Sequence, residues 1–148
     1  MIRYFDSAYI AKLYLSESGS EAVRELAANL KAIACCAHGR VEVAYVFHRK
    51  LREGAIDREG LQARMDQLRL DTLRGFLRWL PMDNAIFEAA ADRVRDLKAD
   101  VWLRAADALH LACARENGFE TIFSNDRHLL AAASHFGVKA SDVIPASP

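Results

Sequence analysis

The sequence predicts a three-layer α/β domain, a short parallel sheet of about four or five strands flanked by helices. Short apolar runs alternate with longer segments whose apolar residues recur at three- and four-residue spacing. Strands that alternate with helices return through crossovers, which makes their pairing parallel. Gly and Pro are sparse and fall where elements should end, with no linker or repeat between them. The 148 residues therefore read as one domain, 1–148, long enough for a single core.

Ile2–Phe5 is an apolar run ending at Asp6 and reads as the first strand. Ser7 can cap the helix that follows, carried by Ile10, Leu13 and Tyr14. A second helix is expected over Glu21–Asn29, with Val23, Leu26 and Leu30 on one face, and a buried strand over Lys31–Ala37. Arg40–Arg52 reads as a helix closed by Gly54, and Asp57 opens another bearing Leu61, Met65, Leu68 and Leu73. Phe76–Leu80 before Pro81 is a short strand, and Asn84–Lys98 a helix. Arg104–Asn117 is a helix ended by Gly118, Thr121–Ser124 a strand, Asp126–His135 a helix and Val138–Ala140 the last strand.

Twenty basic residues balance twenty acidic ones. Charge alone would not hold a polyanion, which would need local positive charge or a bound metal. No apolar run approaches the roughly 20 residues of a membrane-spanning helix. Asp6 comes too early for a secretory apolar segment, so the expected compartment is the cytoplasm, with no membrane partner. Cys35, Cys36 and Cys113 form neither a disulfide framework nor a C-x-x-C pair and read as small buried residues.

In parallel sheets, sites form outside the carboxyl ends of the strands. Asp6 and Asp126 both follow predicted strands, and Glu42 and Asp107 sit early in helices that can reach the same edge. Each has an ordinary role available as a helix cap or a first-turn acid. Gathered together, four carboxylates repel and call for a cation. Oxygen donors suit a hard ion such as Mg²⁺ or Mn²⁺, which polarises a phosphoryl oxygen and lowers the pKa of a bound water.

The run Tyr4-Phe5-Asp6-Ser7-Ala8-Tyr9-Ile10-Ala11-Lys12-Leu13-Tyr14, with Glu17–Val23 behind it, resembles the opening of VapC-type PIN domains. Val41-Glu42-Val43 is similar to the helix that carries the family's second acid. Ala105-Ala106-Asp107-Ala108-Leu109-His110-Leu111-Ala112 resembles the third motif, and Ile122-Phe123-Ser124-Asn125-Asp126-Arg127-His128-Leu129 the fourth. The resemblance covers nearly the whole chain. It implies a PIN-like fold and a toxin that cleaves RNA, such as tRNA or rRNA, with Asp6, Glu42, Asp107 and Asp126 around one or two Mg²⁺ or Mn²⁺ ions. Asp6 and Asp107 would be direct ligands, and Glu42 and Asp126 would complete the site. Ser7 and Ser124 would hydrogen-bond a carboxylate or the scissile phosphate. A homodimer and a cognate VapB-like antitoxin are implied as well. One departure is His38, where relatives often place Ser or Thr before the second acid; it leaves the cap of the Glu42 helix open and adds a titratable group.

His110 can share a helix face with Asp107, but no H-E-x-x-H or Cys/His spacing supports zinc, and the histidines read as ordinary hydrogen-bonded ones. The stretch from Arg40 to Arg78 has a basic excess that could grip phosphates, although most of it reads as a solvated helical face. Trp79 and Trp102 are either core or groove-flanking. The rival from another class is a non-catalytic Mg²⁺-binding signalling module of the receiver type. It would need paired acids after the first strand, where this chain has one.

Overall fold

The computed structural model describes residues 1–146; residues 147–148 of the expected domain lie outside that range. Every expected element is present, with ends shifted by a few residues. The strands are β1 (Ile2–Phe5), β2 (Ala32–Cys36), β3 (Leu77–Leu80), β4 (Thr121–Phe123) and β5 (Lys139–Ser141). The helices are α1 (Ser7–Tyr14), α2 (Ser20–Ala28), α3 (Gly39–Arg52), α4 (Arg58–Leu73), α5 (Asn84–Arg95), α6 (Ala105–Glu116) and α7 (Arg127–Ala132). The last expected helix splits, because α7 tightens into a 3-10 turn over Ala133–Phe136 before Gly137. The cap expected of Ser7 belongs to Asp6: the Asp6 carboxylate accepts the Tyr9 N–H at 2.8 Å, and Ser7 is the first helical residue.

All five strands are parallel, in the order β3-β2-β1-β4-β5. The chain builds outward from β1 to β3 and then crosses back through α5 and α6 to lay β4 on the other side of β1. The strand order thus reverses between β1 and β4, where their carboxyl ends part and leave a crevice. Helices α1 to α4 pack together on one face and α5 to α7 on the other. All five residues of β2 are buried, as a strand covered on both faces requires. Tyr4, Phe5, Ile33 and Ile122 from the sheet meet Tyr9, Ile10, Val43 and Phe47 from one layer and Leu111, Cys113 and Leu129 from the other. Among the described residues no helix is long and apolar enough to cross a membrane.

Candidate active site

Asp6 stands at the crevice, directly after β1, with its backbone N–H on the Phe123 carbonyl of β4 at 3.0 Å. The residue is 4% exposed. One oxygen caps α1, and the other accepts the hydroxyl of the buried Ser124. Burial pushes the Asp6 carboxyl up to about 6, against the pull of His110 and of these two donors, and the Asp107 charge pushes it the same way as burial. A desolvated carboxylate beside a second one is a place where a cation is electrostatically favoured.

Asp107 lies in the first turn of α6, buried, and is met by Arg104 just outside the helix, whose Nε donates to Oδ2 at 2.9 Å. A second guanidinium nitrogen of Arg104 donates to Asp126 Oδ2, also at 2.9 Å. The other Asp126 oxygen caps α7, accepting the N–H groups of His128 and Leu129 at 2.9 and 3.0 Å. Ser124 closes the ring: its Oγ accepts the Asp126 N–H at 3.0 Å while donating to Asp6. Three of the four expected acids are therefore joined through Arg104 and Ser124.

Glu42 is held differently. Its Oε1 lies 2.7 Å from His110 Nε2 and 3.2 Å from His38 Nε2. Burial would raise the Glu42 pKa, but the two imidazoles hold it far below the usual carboxylate range. Burial likewise opposes charge on the histidines, yet contacts with Cys36 and Glu42 raise His110 to about 10 and His38 to about 9. Cys36 Sγ lies 3.2 Å from His110 Nδ1 and 3.6 Å from His38 Nε2. His38 caps nothing with its side chain, so the open cap of α3 is resolved in favour of this cluster.

Among the described residues, the groups whose ligand atoms all lie within 4.8 Å of one another are Cys35, Cys36 and His110, and His38, Glu42 and His110. Among the described residues no three acids are drawn that close; the Arg104 guanidinium bridges Asp107 and Asp126. The oxygen-only set of Asp6, Asp107 and Asp126 has the chemistry of a hard-ion site, because Mg²⁺ needs only one or two carboxylates and keeps its waters. Ser7 is partly buried beside Asp6, and its hydroxyl makes no hydrogen bond among the described residues. Trp102 is exposed and lies against the His128 ring, with centroids 4.1 Å apart, whereas Trp79 is partly buried and donates to Thr72 at 3.0 Å.

Arg104 and Cys36 were not singled out as site residues by the sequence. The signal for Arg104 was its position three residues before Asp107, the spacing of a helical ion pair. Cys36 offered none, since its partner His110 is 74 residues away.

The family model described as the PIN domain matches residues 3–134. No curated protein matches the chain. Among solved structures, the Mycobacterium tuberculosis toxin VapC20, which cleaves the sarcin–ricin loop, aligns at 18% identity and TM-score 0.69, covering 89% of this chain and 95% of its own. FitAcB from Neisseria gonorrhoeae aligns at 17% identity and TM-score 0.74, covering 97% of this chain and 98% of its own. FitAB bound to the IR36 DNA fragment aligns at 18% identity and TM-score 0.68, covering 100% of this chain and 99% of its own.

Proposed function

Because the chain belongs to the PIN-domain family, we propose that it is a metal-dependent ribonuclease, the toxin of a toxin–antitoxin pair that acts in the cytoplasm. The observation that carries this reading is the buried Asp6 carboxylate at the β1–β4 crevice, raised to about 6 and facing the charge of Asp107. Two desolvated acids at a strand-order reversal favour a bound dication, and a dication gives a protein of zero net charge a hold on a polyanion.

Asp6 and Asp107 would hold Mg²⁺ or Mn²⁺ directly, with Asp126 and Glu42 completing the site through coordinated water or a second ion. When bound, such an ion polarises a phosphoryl oxygen and lowers the pKa of a water. The protein's own share is orientation. Ser124 fixes the Asp6 rotamer and the Asp126 backbone at once. Arg104, with 58% of its side chain exposed, bridges two of the acids and is long enough to turn from them to the scissile phosphate. Ser7, beside Asp6, would offer its hydroxyl to that phosphate.

A ribosomal or transfer RNA substrate accords with the sarcin–ricin-loop activity in the name of the VapC20 neighbour. Val41, Tyr45 and Leu73 on α3 and α4 are exposed apolar residues, as a homodimer contact or a VapB-like antitoxin would need.

The test is incubation of the purified protein with total cellular RNA in Mg²⁺ or Mn²⁺ and in EDTA, beside Asp6→Asn. Discrete fragments that require both metal and Asp6 are expected. Intact RNA throughout, from folded protein that still binds the ion, would replace this reading with a non-catalytic partner-binding or signalling role.

A further inference from the structure

We propose that Trp102, backed by His128, is a stacking platform for an unpaired RNA base next to the scissile phosphate, and that it selects single-stranded over paired RNA. The inference rests on the ribonuclease reading and adds to it the class of RNA segment that is bound.

Trp102 lies in the connection between α5 and α6. Side chains alternate along extended backbone, and this stretch obeys the rule. Val101 and Leu103 are partly buried against the core, while Trp102 and Arg104 are exposed. The two inward residues anchor the segment, so the indole is presented from a fixed place. Trp102 is 58% exposed, and what covers it includes the His128 ring, with centroids 4.1 Å apart and planes at 57°. His128 is itself held: its backbone N–H donates to Asp126 Oδ1 at 2.9 Å, and Arg127 Nε donates to its Nε2 at 3.3 Å.

The platform adjoins the acidic edge on both sides. His128 is two residues from Asp126, and Trp102 is two residues from Arg104, whose guanidinium bridges Asp107 and Asp126. An exposed indole alone would suit many partners, but its neighbours narrow the choice. Arg104 and the exposed Arg127 bring positive charge to either side of the aromatic pair, as a nucleotide with a flat base and an anionic phosphate requires. A chain of zero net charge has little general hold on RNA, and its carboxylates repel phosphates. The face of a base carries no charge, so stacking supplies binding that the acids do not oppose. Bases inside a duplex are stacked on one another and offer no free face, whereas loop bases can turn out onto an aromatic side chain. Every base has such a face, so the platform reads whether a nucleotide is paired more than which base it carries.

Binding of a short, unstructured, mixed-sequence oligoribonucleotide, in Ca²⁺ to neutralise the acids, tests the platform. Affinity is read from the anisotropy of end-labelled RNA and contact from tryptophan fluorescence. Wild type should bind the single strand, with quenching that is lost in Trp102→Ala; Trp79, partly buried and bonded to Thr72, supplies the unquenched remainder. Trp102→Ala should melt like wild type, since its side chain is exposed, yet bind about 5- to 100-fold more weakly, the scale of one base on an aromatic ring. Trp102→Phe should recover most of the affinity. A duplex of the same length should bind Trp102→Ala and wild type alike. Unchanged affinity of Trp102→Ala for the single strand, or no quenching in wild type, would overturn the proposal and leave the indole to a protein contact. The cleavage assay on total RNA keeps the two readings apart. Cleavage without Trp102-dependent binding removes the platform alone, and Trp102-dependent binding without cleavage removes the ribonuclease reading alone.

Discussion

Ser124, just past β4, donates its hydroxyl hydrogen to the Asp6 carboxylate, just past β1, across the crevice where the strand order reverses. The same oxygen accepts the Asp126 N–H at 3.0 Å, so one buried hydroxyl orients one acid and anchors the loop that carries another. Ser124→Ala leaves that N–H unpaired and takes a donor from Asp6. The expected cost is about 1–3 kcal/mol of stability, with the Asp6 pKa moving further up. The acidic limb of the pH profile for RNA cleavage should shift to higher pH. A limb that stays in place would show that Ser124 does not tune Asp6.

Asp6→Asn and Asp107→Asn should each lower cleavage by about two orders of magnitude or more, the usual scale for removing one electrostatic element of an active site. Both variants should remain folded, because the substitution keeps shape and removes charge. Growth inhibition on expression should disappear with the activity. Cleavage by either variant at the wild-type rate would mean that the assigned acids are not the site.

The raised Asp6 pKa also makes a statement about stability. With a folded value near 6 against an ordinary 3.8, the folded state binds this proton more tightly than the unfolded one. The contribution to folding is complete below pH 3.8 and is lost as pH rises through 6, a difference of about 3 kcal/mol. In EDTA at pH 7, Asp6→Asn should therefore resist urea better than wild type, and the advantage should shrink toward pH 4. Mn²⁺ should stabilise wild type and leave the variant little changed. A variant no more stable than wild type at pH 7 would mean that Asp6 is not a strained, desolvated charge.

The elements were legible because each depends on local pattern. The β2 run is uniformly apolar and buried on both faces, and Asp57 and Asp83 cap the helices they precede. Parallel order followed from alternation, and the edge shared by Asp6 and Asp126 followed from their places after strands. Side-chain partners over long separations were not legible. His110 meets Glu42 across 68 positions and Cys36 across 74, and no spacing rule reaches that far. The histidines read as ordinary from spacing alone because no contiguous metal-binding motif contains them. The error over Ser7 was of another kind: Asp and Ser both cap helices well, and the fold uses the acid for the cap as well as for the crevice.

Gly39 shows how tightly the Glu42 helix is docked. A Cβ there would lie 2.5 Å from Cys35 Sγ and 3.4 Å from Trp79, both on strands of the sheet. Gly39→Ala must lift the start of α3, at a cost of about 1–3 kcal/mol, and Glu42 lies one turn further on. Thermal unfolding should come earlier, and cleavage should fall even where the variant is fully folded. Unchanged melting would mean that α3 has slack at its start.

Glu42→Gln should expose the charge balance of the histidine cluster. The Glu42 pKa is depressed, so its contribution is present above the ordinary 4.5 and is lost as pH falls. His38 and His110 are raised to about 9 and about 10, so theirs is complete below 6.5 and is lost as pH climbs through those values. On both histidines Cys36 is the larger raising contact and Glu42 the next, so these shifts overlap and are not summed. The variant should lose about 2–3 kcal/mol near pH 6, the scale of breaking a partly buried charged pair. The loss should shrink toward pH 10. A difference that stays flat from pH 6 to pH 10 would mean that the histidines are neutral and the contact is an ordinary hydrogen bond.

Arg104 competes for the oxygens an ion would use. Its guanidinium spends two hydrogen bonds of 2.9 Å on Asp107 and Asp126, and the charge of Glu42 acts on it as well. As an exposed side chain it adds at most about 1 kcal/mol to stability, so Arg104→Ala should melt close to wild type. With the competing cation gone, Mn²⁺ should bind the variant more tightly in calorimetric titration. Cleavage should nevertheless fall, because the group positioned to meet the phosphate has been lost. Tighter ion binding with slower cleavage would separate the two roles, whereas weaker Mn²⁺ binding would show that Arg104 organises the acids and does not compete for them.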